Sequence, residues 1–422
     1  MPLVDYLLFT PLDEEWRTVR SVLCPKKVNA IQTDPITYYL WKQSVKRPPH
    51  AVGDYLIVAA PMFRRTGGEA LAGVITAHGV SEWKPSRVVL VGIAGSLEPE
   101  RLQLGDVVVS DEIYGYEVGD AEAGGLSFRP TFNQIGALDF DRVRAFRDDP
   151  VAYPKWQQEC LGAARLVGLG ELARPPELHL EAIASGNNVV KSRAFGRQLQ
   201  EKISSKIKAV EMEARGLYQA LYIHARRTDA LMIRGVSDYA DETKTELEKK
   251  SKDAWRTFAA ANSARLLRTL WRRGPVQPIS PDYQLDLTLG PYTRFKQQGV
   301  PNIEFKHVGA QDNAFPTLLT RSQPTPALEL EVRAQSEAGH PALHFRGLCI
   351  TESPKRQFIM GQLEENGSMK FNLPASEWGL RVELLLSFPF AVDTIIVACK
   401  DDFQRKSEKS IDRPRRREVT ET

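Results

Sequence analysis

Four short segments of this sequence set acidic side chains and glycines immediately beyond apolar runs. Thr10-Pro11-Leu12-Asp13-Glu14-Glu15 follows Tyr6-Leu7-Leu8-Phe9, and Val91-Gly92-Ile93-Ala94-Gly95-Ser96 continues the run that starts at Arg87. Ala209-Val210-Glu211-Met212-Glu213-Ala214 and Ile233-Arg234-Gly235-Val236-Ser237-Asp238 complete the set. Continuous apolar runs of this length read as buried parallel strands, and open α/β sheets bind ligands beyond the carboxyl ends of such strands. Three carboxylates and a glycine-lined floor are thereby brought to the ends of predicted strands. Carboxyl groups so placed can protonate a leaving group, accept paired hydroxyl hydrogen bonds, polarise a water or steady a developing cation. Asp238 is the first choice for the acid, because partial burial lets a carboxyl keep a proton that water would remove. Ser237 stands next to it and could orient it.

Each segment alone has a plainer reading. Ser237-Asp238 could cap the next element, and Asp13, Glu14 and Glu15 could be helix-start charges. Glu213 could be a first-turn acid favoured by the helix dipole, and Met212 core filling. A lone Gly-x-Ala-Gly carries almost no information. The joint occurrence of all four in a fixed order favours a site, with Glu211 structural rather than catalytic.

The elements that must position these groups alternate in kind. Strand-like runs occur at Tyr55–Ala60, Arg87–Val91, Leu104–Ser110, Leu180–Ala184, Lys208–Val210 and Ala230–Ile233. Helical spacing follows Asp13, and follows Gly67-Gly68 with Leu71, Val74 and Ile75 on one face. Another helix is expected to contain Glu213 just inside its start and to bury Leu217, Ala220 and Leu221. A long last helix carries Trp255, Phe258, Ala259, Leu266, Leu267 and Leu270, its stripe interrupted by Asn262 and Ser263. The pattern predicts an α/β fold over residues 1–273, a three-layer domain around a central mixed sheet. Glu117 to Pro176 reads as loops around a helix near Trp156–Val167, either a lid or a surface insertion.

Three prolines within Gly274–Pro281 cannot continue a helix, so 274–284 is predicted to be a linker. Beyond it Leu328, Leu330 and Val332 alternate with polar residues, and helical periodicity is weak. A smaller, mainly β domain is expected over 285–403, followed by a basic disordered tail over 404–422.

Composition narrows the class. With 56 basic and 53 acidic residues the net charge is only +3, so no global field for nucleic acid is implied. Four cysteines, Cys24, Cys160, Cys349 and Cys399, form no CxxC pair, and neither a disulfide framework nor a zinc site is signalled. No apolar run approaches the ~20 residues that cross a bilayer. A cytoplasmic protein that uses no cofactor is the expectation.

On these motifs residues 1 to about 272 resemble the nucleoside phosphorylase and nucleosidase superfamily, and within it the 5′-methylthioadenosine/S-adenosylhomocysteine nucleosidase branch. Ala-Val-Glu-Met-Glu-Ala is the most specific run, then Arg-x-x-Ser-Asp. The resemblance implies cleavage of an N-glycosidic bond through a ribosyl cation. It implies that Asp238 donates to purine N7, that Glu213 grips the ribose 2′ and 3′ hydroxyls, and that Glu15 polarises the attacking water. Met212 would lie against the sugar and Gly92, Ala94 and Gly95 beneath the base. It also implies a homo-oligomer in which a neighbour closes the pocket.

The sequence departs from the family in the base-lining segment Ser185-Gly186-Asn187-Asn188-Val189-Val190. Val189 stands where an aromatic residue usually faces the purine, and Asn187 where an acid often follows Ser185-Gly186. Stacking is then weaker, or supplied by Tyr114, Tyr116 or another side chain. Thr10-Pro11-Leu12 and Leu90 occupy the places where phosphorylases of the superfamily carry arginines, so a phosphate dianion would lack its bidentate clamps and water is favoured. Arg64-Arg65, before Thr66-Gly67-Gly68 at a helix start, form a reasonable anion seat for phosphate or a nucleotide's 5′-phosphates. Two solvated arginines on a turn are the alternative. The functional reading is a purine nucleoside or nucleotide hydrolase. Two further readings stand beside it: a phosphorylase, and a regulated effector of a bacterial antiviral system whose C-terminal module senses a signal or partner and releases depletion of purine nucleotides such as ATP, AMP or NAD. The latter rests on analogy.

Overall fold

The structure is a computed structural model that describes residues 4–25, 28–33, 36–45, 53–63, 67–110, 112–122, 125–129, 131–134, 137–225 and 228–273, and, further on, 283–289, 294–298, 302–307, 328–335, 346–351, 357–364, 367–373, 380–387 and 394–401. The chain divides into two units between Ile279 and Ser280.

The first unit begins with β1 (Val4–Leu12), α1 (Asp13–Leu23), β2 (Asn29–Thr33), β3 (Ile36–Val45), β4 (Gly53–Phe63), α2 (Glu69–Trp83) and β5 (Pro85–Ser96). It continues with β6 (Val107–Val109), β7 (Glu112–Gly115), β8 (Gly119–Glu122), β9 (Gly125–Phe128), β10 (Thr131–Gln134), α3 (Ala137–Arg147) and α4 (Ala152–Leu166). The remainder is β11 (Leu178–Leu180), β12 (Ala182–Ser185), α5 (Arg193–Lys202), β13 (Ile207–Glu211), α6 (Ala214–His224), β14 (Asp229–Asp238), α7 (Lys244–Ser251) and α8 (Ala254–Arg272). A mixed sheet runs in the order β10-β7-β12-β13-β5-β1-β4-β3-β2, with β14 added to β5, β6 to β14 and β11 to β6. β8 and β9 form a separate antiparallel pair.

β5 is the axis of the sheet, and its two edges differ. Along one edge β14 pairs in parallel from Asp229 opposite Arg87 to Asp238 opposite Gly95. Along the other, β1 runs parallel to β5 as far as Phe9 opposite Leu90, and β13 arrives antiparallel with Val210 opposite Gly95. Two strands thus approach head to head along one edge and stop short of each other beside residues 91–94. The segments leaving them carry Glu15 and Glu213.

α8 packs on β14 and closes one face. Phe258, Leu266, Leu267, Leu270 and Trp271 are all buried there, and burial of such side chains contributes about 1.5–3 kcal/mol each relative to exposure. Asn262 and Ser263, which break the stripe in the sequence, also face inward. Asn262 Nδ2 donates to the Gly105 carbonyl and Ser263 Oγ to the Gly92 carbonyl, so the polar pair bonds loop and strand backbone to the helix.

One expectation needs correction. On α2 the buried face is Ala72, Ile75, Thr76, Gly79, Val80 and Trp83, while Leu71 and Val74 project outward. Small side chains let this helix lie close to the sheet, and hydropathy gives them little weight. The helix expected near Trp156–Val167 is present as α4, but it buries Trp156, Cys160, Ala163 and Ala164 and packs against Phe258 of α8. It belongs to the packed domain.

In the second unit every described residue lies in or beside a strand. The strands are β15 (Tyr283–Leu289), β16 (Arg294–Gln298), β17 (Asn302–His307), β18 (Leu328–Gln335), β19 (Arg346–Thr351), β20 (Gln357–Met360), β21 (Gln362–Leu363), β22 (Met369–Leu373), β23 (Leu380–Ser387) and β24 (Thr394–Asp401). They form two five-stranded sheets, β16-β15-β23-β19-β20 and β17-β24-β18-β22-β21. Leu330, Val332, Phe371, Val382, Leu384 and Leu386 are buried in it. Most of the expected linker and all of the basic tail lie outside the described residues.

Candidate active site

The gap between β1 and β13 is a cavity of about 470 Å³. α1 starts directly after β1, and its three opening acids take different partners. Asp13 pairs with Arg17 at 2.7 Å on the surface, Glu14 pairs with Arg256, and Glu15 turns inward. Glu15 receives a hydrogen bond from the Ile93 backbone N–H, while its Oε2 has no partner. Burial pushes its carboxyl up to about 7, although Arg234 and Arg256 oppose the shift.

β13 extends one residue further than expected, so Glu213 is the N-cap residue of α6 rather than part of its first turn. The cap is satisfied by Glu211, whose carboxylate accepts from the N–H groups of Glu213 and Ala214 at 3.0–3.1 Å. This leaves the Glu213 side chain free of helix capping and directed at the cavity. Burial holds its carboxyl above the ordinary range; Glu211 and Glu15 add to the shift, and Arg234 opposes it.

Arg234 joins these groups. It comes from β14 on the opposite edge of β5 and is fully buried, pairing with Glu211 and, at 3.1 Å, with Glu213. Its Nε and Nη1 have no partner. One buried guanidinium thus faces three glutamates. The arrangement depends on Gly92. A Cβ there would come within 2.5 Å of Glu15 Oε2, 2.9 Å of Pro11 and closer still to Arg234 Nη1.

Asp238 ends β14 after a register irregularity between Val236 and Asp238. Such bulges redirect side chains. Its carboxyl is buried and packs over Gly95, where a Cβ would sit 2.9 Å from Oδ1. Oδ2 accepts from Ser237 Oγ at 2.8 Å and from Lys244 Nζ at 3.0 Å, and Oδ1 from the Ala240 N–H at 3.0 Å. Ala240 has φ 48°. A non-glycine residue in the left-handed region costs about 1–2 kcal/mol, and here the strain turns its N–H back onto the carboxyl.

Glu15, Glu213, Asp238, Ser237, Met212, Ala94, Gly95 and Val189 all line the one cavity. Gly92 and Ser185 are not among the residues that line it. Gly92 lies behind Glu15 and Arg234, and Ser185 Oγ accepts from the Arg215 N–H at 3.0 Å. Arg64 and Arg65 lie outside the described residues.

The loop after Ser185 is held by a side chain that the sequence offered for a different reason. Asn187 Oδ1 accepts from the Glu69 N–H at 2.9 Å and so caps α2, while its own N–H donates to Glu117 Oε1. Tyr116, a candidate to stack on a base, is instead core, packed against Gly186 with its hydroxyl donating to the Asn188 carbonyl at 3.4 Å. The Tyr114 hydroxyl donates to Glu112 Oε2 at 2.9 Å. Among the described residues the lining contains no aromatic ring, and Val189 is half exposed at the rim. Lys191, Lys244, Glu248 and Arg256 complete the rim.

Arg234 was read from sequence only as the start of the Arg-x-x-Ser-Asp run, without a role in the site, and Lys244 was not singled out. An arginine inside an apolar strand was the available signal for the first; the second stands in a lysine-rich exposed stretch that carries none. Among the described residues no group of His, Cys, Asp and Glu could hold a metal ion, and no helix is long and apolar enough to cross a membrane.

A family model for the phosphorylase superfamily matches residues 54–272, more than half of the chain. The ATP nucleosidase Cap17 of Escherichia coli (strain KTE188) is 26% identical over 217 residues, which cover 49% of this chain and 40% of that protein. The Death domain-containing ATP nucleosidase of Amphimedon queenslandica is 26% identical over 270 residues, covering 62% and 47%. A 5′-methylthioadenosine/S-adenosylhomocysteine nucleosidase of Marinomonas sp. (strain MWYL1) is 27% identical over 204 residues, covering 48% and 76%. The chain therefore spans less than half of either ATP nucleosidase.

Proposed function

The chain belongs to the phosphorylase superfamily, and from that premise we propose that it is an N-glycosidase that hydrolyses a purine nucleoside or nucleotide to free base and sugar. The observation that carries this reading is the convergence of Glu15, Glu213 and Asp238 on one cavity from three separate strand ends. Glu15 has an unpartnered oxygen with which to take a proton from water at the anomeric carbon. Glu213 accepts hydrogen bonds from ribose hydroxyls and, with Glu15, offsets positive charge growing on the sugar. Asp238 passes a proton to the departing base at N7.

Water is the better nucleophile here. A phosphate dianion beside Glu15 would meet a carboxylate, and the buried Arg234 guanidinium is shared with Glu211 and Glu213. The names of two relatives make ATP the first nucleotide to test. Lys191 and Arg256 at the rim support an anionic substituent on the sugar.

A second reading, a regulated effector, is favoured by the β unit joined to the nucleosidase-like one. A relative named for both a death domain and an ATP nucleosidase supports such a pairing of modules. In this reading the β unit senses a ligand or partner and controls release of purine base. A second copy of the chain closing the rim near Val189 also belongs to the proposal.

The test is a panel of adenosine, methylthioadenosine, inosine, AMP, ATP and NAD, with and without phosphate, with products separated by chromatography. Free base in the absence of phosphate is expected. No base from any of them contradicts the proposal, and ribose 1-phosphate formed only with phosphate would make the protein a phosphorylase.

A further inference from the structure

Lys244 has no part in the reaction as described so far, yet it touches its acid. It is the first residue of α7, an eight-residue helix with no buried side chain, so it does not dock that helix into a core. A cation at a helix N-terminus faces the positive end of the dipole, which is unfavourable. Its placement is offset by Asp238, 3.0 Å away, and both side chains line the cavity. The lysine side chain keeps 18% exposure and the aspartate 2%, so the pair reaches from the buried site to solvent.

Two of the hydrogen bonds around Asp238 have a fixed direction. The Ala240 N–H and the Lys244 ammonium can only donate to it, and Ser237 Oγ, which lies 2.8 Å from Oδ2, also has the Ala94 carbonyl within 3.4 Å. This is the partner set of a carboxylate, which accepts and does not donate. The serine hydroxyl and the backbone amide hold their protons far more tightly than an ammonium. The nearest proton that can be given up therefore sits on Lys244.

We propose that Lys244 is the proton source behind Asp238. As the glycosidic bond breaks, its electron pair moves onto the purine. A proton passes from Lys244 Nζ to Asp238 Oδ2, and Asp238 delivers one to the ring nitrogen. Asp238 ends as the carboxylate it began as, Lys244 becomes a neutral amine, and the base leaves uncharged. The amine regains a proton from water at its exposed edge. Lysine suits this role because its ammonium can deprotonate, whereas a guanidinium stays charged. The inference rests on the reading of the chain as a purine N-glycosidase with Asp238 facing the base.

Steady-state base release by the full chain tests it, comparing wild type with Lys244→Arg, Lys244→Ala and Asp238→Asn, each checked for folding by thermal melting. Every protein is given a purine nucleoside or nucleotide that the wild type cleaves and, separately, its N7-methyl counterpart, whose cationic base leaves without being protonated. Both Lys244 variants are expected to lose about 100-fold in kcat on the ordinary substrate, with KM little changed and the N7-methyl substrate largely spared. Arginine keeps the ion pair and should not rescue. A Lys244→Arg enzyme with wild-type kcat would reduce Lys244 to a positioning residue and overturn the proposal, as would equal losses on both substrates. If the N7-methyl compound is not cleaved by wild type, the arginine variant decides alone. Full activity in Asp238→Asn, or no base release by wild type, identifies the reading of the site as the failure and removes the inference with it.

Discussion

Gly92 lies opposite Arg234 in the β5–β14 register, and the side chain it lacks is the space that Arg234 and Glu15 occupy. The glycine of this strand does not so much floor the cavity as let two charged groups from different elements meet over the backbone. Gly92→Ala should therefore injure chemistry more than packing. Displacing Glu15 and Arg234 is expected to lower kcat by about 100-fold while costing about 1–3 kcal/mol of stability, as overpacking does. Kinetics and denaturant unfolding on the same preparation measure both. A variant with full activity would mean that the two groups need not be where they stand.

Among the described residues Arg234 is the single buried cation against Glu15, Glu211 and Glu213. Removing it as Arg234→Met leaves those carboxylates uncompensated, and breaking a buried pair in this way costs about 3–5 kcal/mol. Chemical denaturation at pH 8 should show a loss of that size, smaller at pH 5 where Glu15 and Glu213 take up protons. The sign follows from their raised values, since both are neutral more readily than ordinary carboxyls.

The Glu15 carboxyl, raised by burial to about 7, sets both a rate and a stability dependence. Only its ionised form can take a proton from water, so kcat/KM should fall as pH drops below about 7. Stability runs the other way. A carboxyl raised in the folded state favours folding below its unfolded value of 4.5, and that contribution is lost as pH rises through about 7. Glu15→Gln should then lose about 100-fold or more in kcat yet unfold at higher temperature than wild type at pH 8, by about 1–3 kcal/mol in stability. Thermal melts at pH 5 and pH 8 check it; a variant no more stable at pH 8 than at pH 5, relative to wild type, contradicts the burial argument.

Much of the fold was legible because a central parallel sheet writes itself as continuous apolar runs, and β1, β5 and β14 are of that kind. The carboxylates were legible because each follows such a run. What failed was whatever depended on small or polar residues facing inward. The buried face of α2 is built around Ala72, Thr76 and Gly79, and the buried face of α8 includes Asn262 and Ser263. Tyr116 was offered as a stacking residue, yet its ring fills the space under Gly186. Lys244 sits six residues beyond Asp238, a separation that only the turn through Ala240 converts into a contact.

The described lining residues include no aromatic ring. Val189→Phe would supply one at the rim, and an offset-stacked ring is worth about 0.5–1.5 kcal/mol. A fall in KM of about 2- to 10-fold with kcat little changed is expected. An unchanged or higher KM would mean that the base does not lie beside this residue.

Hydrolysis itself is tested most directly by the fate of the attacking oxygen. Wild-type protein should be incubated with its cleaved purine substrate in ¹⁸O-labelled water containing phosphate, and the sugar product examined by mass spectrometry. Free base together with sugar carrying the label at the anomeric oxygen is expected, with the yield strongly reduced in Glu15→Gln. Unlabelled ribose 1-phosphate, or labelled sugar released equally well by Glu15→Gln, would contradict water attack directed by Glu15.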